Sequence, residues 1–103
     1  HAMDIAVKVF EISKSFPKKE DYALTSQIRR AAESISSNIS EGFGRGGDKE
    51  KIMFYRFSRG SANETKNHLS YGTLVKYFEE QQSSAIISKI EDLVHELNKI
   101  IKT

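Results

Sequence analysis

The sequence predicts an all-α fold, namely an antiparallel up-down four-helix bundle in a single domain. The 103-residue chain contains only one proline and six glycines, a composition typical of long helices. Apolar residues recur every three or four positions in four separate stretches, which is the periodicity of amphipathic helices. The short links between these stretches favour antiparallel neighbours. We expect the domain to span residues 3–103, with His1 and Ala2 a remnant of cloning.

The first helix is expected to run from Asp4 to Ser15. Asp4 can cap its start by accepting a backbone N–H bond. Pro17 cannot continue a helix and restricts the residue before it, so the helix must end there. The apolar stripe of this helix consists of Ile5, Val9, Ile12 and Phe16.

The second helix should begin between Asp21 and Thr25 and continue to Phe43. One of the glycines that follow is expected to supply a left-handed C-terminal cap. Small residues beside the apolar stripe allow other helices to come close. The stripe consists of Leu24, Ile28, Ala31, Ile35 and Ile39, and the small residues are Ala32, Ser34, Ser36 and Ser37.

The third helix is expected to run from Asp48 to Phe78, with the Asp48 carboxylate accepting bonds from free N–H groups at its start. Gly60 lies in the middle of this helix, where glycine costs about 1 kcal/mol relative to alanine. A close contact with another helix would compensate for that cost. Gly72 is expected to mark either a contact of the same kind or a bend.

The fourth helix is expected to follow a cap at Ser83 or Ser84 and to end at Ile101. A heptad seam runs along it, because its apolar residues alternate spacings of four and three. The seam could pack in the bundle core or against a neighbouring subunit, and the sequence leaves both open. It consists of Ile86, Ile90, Leu93, Leu97 and Ile100, flanked by Ile87, Val94 and Ile101.

Two sequence blocks resemble a known family. They are SQIRRAAESISSNISEGFGR, from Ser26 to Arg45, and GSANE, from Gly60 to Glu64. They are similar to four-helix bundle proteins first noticed as reading frames inside intervening sequences of bacterial large-subunit ribosomal RNA genes. The resemblance implies a self-associating bundle, expected to form a homopentameric ring. A related accessory protein of diversity-generating retroelements binds nucleic acid and a reverse transcriptase, so RNA, DNA or a nucleic-acid enzyme are the implied partners.

A cluster of basic residues indicates either an ordinary solvated face or a nucleic-acid surface, and the net charge of +2 says little by itself. The stretch from Arg45 to Arg59 contains five Lys or Arg residues against Asp48 and Glu50. Such a patch can neutralise phosphates with little base readout. The candidate nucleic-acid-binding residues are Arg30, Arg45, Lys49, Lys51, Arg56 and Arg59. The interleaved aromatic residues Phe54, Tyr55 and Phe57 would either stack on single-stranded bases or belong to the core.

Charged and small residues of the two blocks are also candidates for structural or subunit contacts. These interface candidates are Arg29, Glu33, Asn38, Glu41, Gly60, Ser61 and Glu64. In one interpretation, Arg29 or Arg30 pairs with a carboxylate of Glu33, Glu41 or Glu64 across helices or subunits. In the other, the arginines line a basic groove that contacts phosphates.

The sequence predicts no enzyme activity, no metal site and no cofactor. A di-iron bundle requires Glu-x-x-His on two helices, but the chain offers only Asp92-x-x-His95 and a wrongly spaced Glu64 and His68. The Arg-to-His spacing of helical ribonucleases of the HEPN type is also absent. The chain contains no cysteine and no apolar run of the roughly 20 residues that a membrane span needs, so a cytoplasmic location is expected. The alternative function is a protein-interaction scaffold that does not bind nucleic acid.

Overall fold

The computed structural model describes residues 2–102, and the helices account for most of them. Four α-helices follow one another along the chain, with a short 3-10 helix, Lys18–Glu20, between the first and the second. No strand occurs within the described residues. The prediction of an all-α fold is therefore confirmed. The helices are α1 (Ala2–Ser13), α2 (Leu24–Phe43), α3 (Asp48–Leu74) and α4 (Glu80–Ile101).

The four helices pack as a bundle. Helices α1 and α3 both pack against α2 and α4, whereas no Cα atom of α1 lies within 8 Å of one of α3 in the described chain. Residue pairs along α2 and α3 run in opposite order, since Gly42 lies beside Tyr55 and Ser34 bonds to Ser61. The antiparallel order of all four helices stays a prediction.

The main core draws on every helix of the bundle. Five large aliphatic side chains are almost completely buried, and each lies on an apolar stripe of its helix. They are Ile5, Ile28, Ile35, Leu69 and Ile90. Most of the predicted heptad seam of α4 also lies in this core or in the smaller cluster around Tyr55 and Leu97. In that seam Ile100 is exposed.

The predicted start and end of the first helix are both wrong. Helix α1 spans Ala2–Ser13 in the described chain, and Ala2 is buried. Asp4 therefore lies inside the first turn and is no cap. Its carboxylate instead forms ion pairs with Lys8 at 3.7 Å and with Lys89 of α4 at 3.4 Å.

The third helix is shorter than predicted because the chain turns back on itself after Leu74. Lys76 has a φ of 65°, a left-handed conformation that stops a helix. The turn brings the Phe78 ring over Gly72, where a Cβ atom would lie only 2.7 Å from the ring. Phe78 is buried and stacks on Phe16 with 5.5 Å between the ring centroids. Gly72 thus marks a close contact, made by an aromatic ring of the following turn.

Two predicted caps are also wrong. Gly44 ends α2 in a right-handed conformation with φ −80°, and no glycine of the described chain has a positive φ. Helix α4 begins at Glu80, and the Gln82 side chain accepts a bond from the Glu79 backbone N–H at 3.1 Å. Ser83 is a buried helical residue whose hydroxyl lies 2.8 Å from that of Thr73.

Candidate nucleic-acid and subunit interfaces

Three of the predicted basic residues lie around the start of α3. Lys49 and Arg56 are exposed and form no ion pair with another described residue. Arg45, in the loop before α3, pairs with Glu41 at 3.0 Å and with Glu50 at 3.6 Å. Since these pairs are exposed, they add little stability and are readily screened.

The other three predicted basic residues, of which Lys51 also lies in the first turn of α3, donate hydrogen bonds inside the chain. Lys51 donates to the backbone carbonyl of Phe43 at 3.1 Å, at the end of α2 where cations are favoured. Arg59 donates to the Asn98 side chain at 2.7 Å and so links α3 to α4. Arg30 donates to Ser26 at 2.8 Å on α2. The six candidates therefore differ in how far they are engaged by partners inside the chain.

The predicted aromatic residues differ in their access to a ligand. Tyr55 is buried in the core, so it cannot stack on a base. Phe54 is half-buried, with the Arg45 guanidinium 4.8 Å from its ring centroid. Phe57 is 51% exposed, and Phe43 at the end of α2 is 80% exposed. The sequence analysis did not name Phe43 as an exposed aromatic residue. Its exposure could be inferred only from its place between Gly42 and Gly44, because no neighbouring helix covers a side chain there.

The arginines of the second helix do not pair with the predicted carboxylates inside the chain. The Arg29 Nε donates to Ser13 at 2.7 Å, and its guanidinium lies 4.3 Å from the centroid of Phe10. Glu64 contacts His68 at 3.3 Å, and Glu41 pairs with Arg45 as described above. The predicted Arg–Glu pairs are thus wrong for contacts within one protomer. Glu33 is exposed and has no ion-pair partner among residues 2–102.

Small polar residues form the contact between α2 and α3. The Ser58 hydroxyl donates to the Ile35 carbonyl at 2.8 Å, and Ser61 donates to Ser34 at 2.9 Å. The Asn38 side chain bonds to Ser34 at 2.9 Å and so belongs to the same polar strip. Ala62 is fully buried beside it. This geometry fits the expectation that small side chains let helices come close.

Gly60 does not take part in that contact. It is exposed, and an added Cβ atom would find no other atom within 4 Å. The predicted close helix contact at Gly60 is therefore wrong within the protomer, because the glycine points away from both neighbouring helices. Its helix-propensity cost of about 1 kcal/mol is not offset by any contact of the described chain.

An exposed apolar stripe runs along α1. Met3, Val7 and Phe10 lie on one helical face and all three are exposed, Val7 by 54%. They form one wall of an open groove of about 590 Å³, and residues of α2 line the other. We call this surface the α1–α2 groove. The residues of α2 that line it are Thr25, Ser26, Arg29, Arg30 and Glu33.

A second exposed stripe follows the outer face of α3. Its seven positions alternate spacings of four and three, so they form a heptad seam that faces away from the core. Bulky side chains lie at both ends, with Leu74 79% exposed, and smaller or polar residues lie between them. We call this surface the α3 seam. It consists of Met53, Phe57, Gly60, Glu64, Asn67, Tyr71 and Leu74.

Glu20 and Tyr77 form a short hydrogen bond at one end of the bundle. The Tyr77 hydroxyl donates to the Glu20 carboxylate at 2.6 Å and joins the 3-10 helix to the turn before α4. This bond lowers the pKa of Glu20. The same bond raises the pKa of Tyr77 to about 12, because loss of the phenolic proton would place two anions side by side.

The described residues offer no arrangement for metal binding or for membrane spanning. No group of three or more His, Cys, Asp or Glu side chains between Ala2 and Lys102 could hold a metal ion. Within the same residues, every helix is too short or too polar to cross a bilayer.

These features define a small helical bundle protein with exposed apolar residues on α1 and α3 and with exposed cations around the start of α3. Residues 1–99 match the family model described as 23S rRNA-intervening sequence protein. The chain belongs to that family, and the resemblance found in the sequence is confirmed. No curated protein matches the chain.

A solved structure supports the fold. It is the crystal structure of a protein with unknown function from the S23 ribosomal protein family of Bacteroides thetaiotaomicron. The two share 24% sequence identity with a TM-score of 0.90, over 99% of this chain and 95% of that chain. At this identity the likeness shows the fold alone.

Proposed function

We propose that this protein is a non-enzymatic, self-associating helical bundle, a homopentameric ring, that presents a basic surface to nucleic acid or to a nucleic-acid enzyme. The observation that carries the proposal is the pair of uncovered apolar surfaces, on α1 and on α3. Exposed apolar surface on a small protein is typical of association sites, and here it forms a stripe on α1 and two apolar ends on the α3 seam. Self-association would remove it from water and would also stabilise a domain of only 103 residues.

Assembly also supports the nucleic-acid part of the proposal. Of the six candidate cations, only Lys49 and Arg56 are exposed and without an ion pair in the described chain, which are too few on one protomer for strong phosphate binding at that surface. Several copies on one body multiply those contacts and add avidity. The names of the family and of its solved member refer to ribosomal RNA and to a ribosomal protein, so RNA is the first nucleic acid to test.

The experiment is a binding titration with fluorescently labelled single-stranded RNA, single-stranded DNA and duplex DNA at several salt concentrations. Counterion release predicts that affinity for a bound strand falls about tenfold or more between 50 and 200 mM salt. The double variant Lys49→Ala/Arg56→Ala should bind more weakly and show a shallower salt slope. The matched control Lys18→Ala/Lys76→Ala removes the same charge from two other exposed lysines without an ion pair in the described chain and should bind like the wild type.

A second candidate function is a protein-interaction scaffold. The engagement of Arg45, Lys51 and Arg59 by partners inside the chain favours it, because it leaves fewer cations for phosphates. Absence of binding to all three probes at low salt would overturn the nucleic-acid function and favour the scaffold. If the test and control variants lost the same amount of nucleic-acid affinity, only net charge would matter. Such a result would contradict a specific role for Lys49 and Arg56.

A further inference from the structure

The first half of α3 presents cations and apolar side chains on one outward face. The five residues of this face are all exposed, and they are Lys49, Met53, Arg56, Phe57 and Gly60. In a helix of 3.6 residues per turn they fall within about 100° of arc and span about 17 Å along the axis. We call this surface the α3 basic face. Exposed cations without an ion pair in the described chain thus stand next to a half-exposed aromatic ring.

We infer that the α3 basic face binds a single strand of nucleic acid, with Lys49 and Arg56 on its phosphates and a base stacked on Phe57. This inference rests on the nucleic-acid binding of the proposed function and deepens it by naming the class of strand and the residue that holds a base. It leaves the α1 stripe and the far end of the α3 seam, at Tyr71 and Leu74, for contacts between copies.

The Phe57 ring is held by a neighbouring ring and is open to a base. It packs edge to face with Phe54, with 5.8 Å between the centroids and 88° between the ring planes. Phe54 is in turn covered by the Arg45 guanidinium, 4.8 Å from its ring centroid. An edge-to-face pair leaves at least one face of each ring free of its partner. Since Phe57 is 51% exposed, its free face can accept a base.

The mixture of cationic and apolar groups favours a single strand over a duplex. A duplex keeps its base faces stacked inside, so Met53 and Phe57 would face a charged sugar-phosphate backbone. In a single strand the bases can turn toward the protein while the phosphates reach the cations. Stacking of bases on aromatic side chains is tolerant of sequence, because every base has a flat face.

The local charge suits a phosphate backbone. Lys49 and Arg56 lie seven residues apart, about 10 Å along the helix, and neither has an ion pair in the described chain. Of the two acidic residues in the first turn of α3, Glu50 is paired with Arg45 at 3.6 Å, and the other is the first residue of the helix. Glu64, one turn beyond the last residue of the face, is exposed. Its carboxylate would repel phosphates and so marks where the face ends.

Gly60 lets a strand approach the helix backbone closely. It is exposed, and an added Cβ atom would meet nothing within 4 Å. No contact inside the protomer offsets the low helix propensity of glycine at this position. A sugar or base that packs against the backbone of α3 would use the space that a side chain would fill.

Binding of one sequence in single-stranded and duplex form tests the inference. The probes are a labelled RNA strand, the DNA strand of the same sequence and the DNA duplex that contains it. The test variant Phe57→Leu keeps an apolar side chain but removes the ring. The matched control is Tyr22→Leu, at a fully exposed aromatic residue outside the face. Circular dichroism checks the fold of each variant, and light scattering measures its molar mass.

The wild type should bind both single strands more tightly than the duplex. Phe57→Leu should weaken single-strand binding about tenfold and leave the salt slope unchanged, because no phosphate contact is lost. Its duplex binding and its molar mass should equal those of the wild type, and Tyr22→Leu should match the wild type throughout. Lys49→Ala/Arg56→Ala should instead reduce the salt slope for single strands by about 1.4.

Single-strand binding by Phe57→Leu at wild-type strength would overturn the inference and leave the basic surface of the proposed function intact. An equal loss on the duplex would also overturn it, because the ring would then not act through a base. A loss accompanied by a lower molar mass would overturn it too, since it would assign Phe57 to a subunit contact. A wild type that binds none of the probes would instead overturn the nucleic-acid function itself.

Discussion

Thr25 and Thr65 are both buried threonines, but their hydroxyls differ in hydrogen bonding. Thr65 donates to the Ser61 carbonyl at 2.8 Å, whereas the Thr25 hydroxyl has no partner among the described residues. A buried hydroxyl without a partner costs free energy, and replacing it with an apolar group of the same shape removes that cost. The two side chains therefore contribute to stability with opposite signs.

The corresponding substitutions should have opposite effects on the free energy of unfolding. Thr25→Val should leave it unchanged or raise it by up to about 1 kcal/mol, and Thr65→Val should lower it by about 1 kcal/mol. Urea unfolding of both variants at the same chain concentration measures the difference. A clear loss of stability in Thr25→Val would show that its hydroxyl is satisfied after all.

Residue identity alone did not predict which partner each charged side chain takes. Arg29 lies on Phe10 and donates to Ser13, and Arg59 reaches Asn98. Neither contact involves a carboxylate. Long flexible cations donate to any nearby oxygen or lie over a ring face, and these partners come from helices far away in sequence. The candidate cations could therefore be found from the sequence, but their partners could not.

At the scale of elements, the hydrogen bond between Glu20 and Tyr77 ties two connections together. Glu20 belongs to the 3-10 helix and Tyr77 to the turn between α3 and α4. Because the bond lowers the pKa of Glu20, the ionised carboxylate stabilises the folded state above its unfolded pKa of about 4.3. That contribution is lost as pH falls through the lower folded pKa.

The tyrosine has the opposite dependence on pH. Its folded pKa is raised to about 12, so its contribution is complete below the unfolded value of about 10. It is lost as pH rises through the folded value. The bond should therefore stabilise the protein fully between about pH 5 and pH 10.

Tyr77→Phe should lower the urea midpoint of unfolding at pH 7, and the difference from the wild type should shrink as pH is reduced from 5 to 3. Loss of the hydroxyl removes the donor that holds Glu20 ionised. Tyr22→Phe is the matched control, because Tyr22 is fully exposed and should unfold like the wild type at every pH. A difference that stays constant across this range would show that the phenol acts by packing alone.

The sequence predicted the existence and type of all four helices, but several of their ends were wrong. Periodicity locates a helix, whereas its end depends on contacts that form only in the folded chain. Phe78 stacks on Phe16, and Lys76 is forced into a left-handed turn, so α3 ends at Leu74 despite its helical pattern. In the same way, the Gln82 side chain accepts the backbone N–H bond of Glu79 at the start of α4, whereas the predicted cap residue Ser83 is buried inside the helix.

At the scale of the whole molecule, the helices of one protomer cover only part of the apolar surface. The core was predictable because each helix buries its main stripe. The heptad seam on the outside of α3 was not recognised, since its middle positions are glycine and polar residues that lower the apolar signal. That seam and the stripe on α1 are the exposed surfaces on which the proposed self-association depends.

The central claim is that these surfaces hold several copies of the chain together. The most direct test is the molar mass of the wild-type protein in solution, measured by light scattering after size-exclusion chromatography at micromolar concentration. The account predicts a single species several times heavier than the 11.7 kDa chain, and five times heavier for the ring. A folded species with the mass of one chain would contradict it.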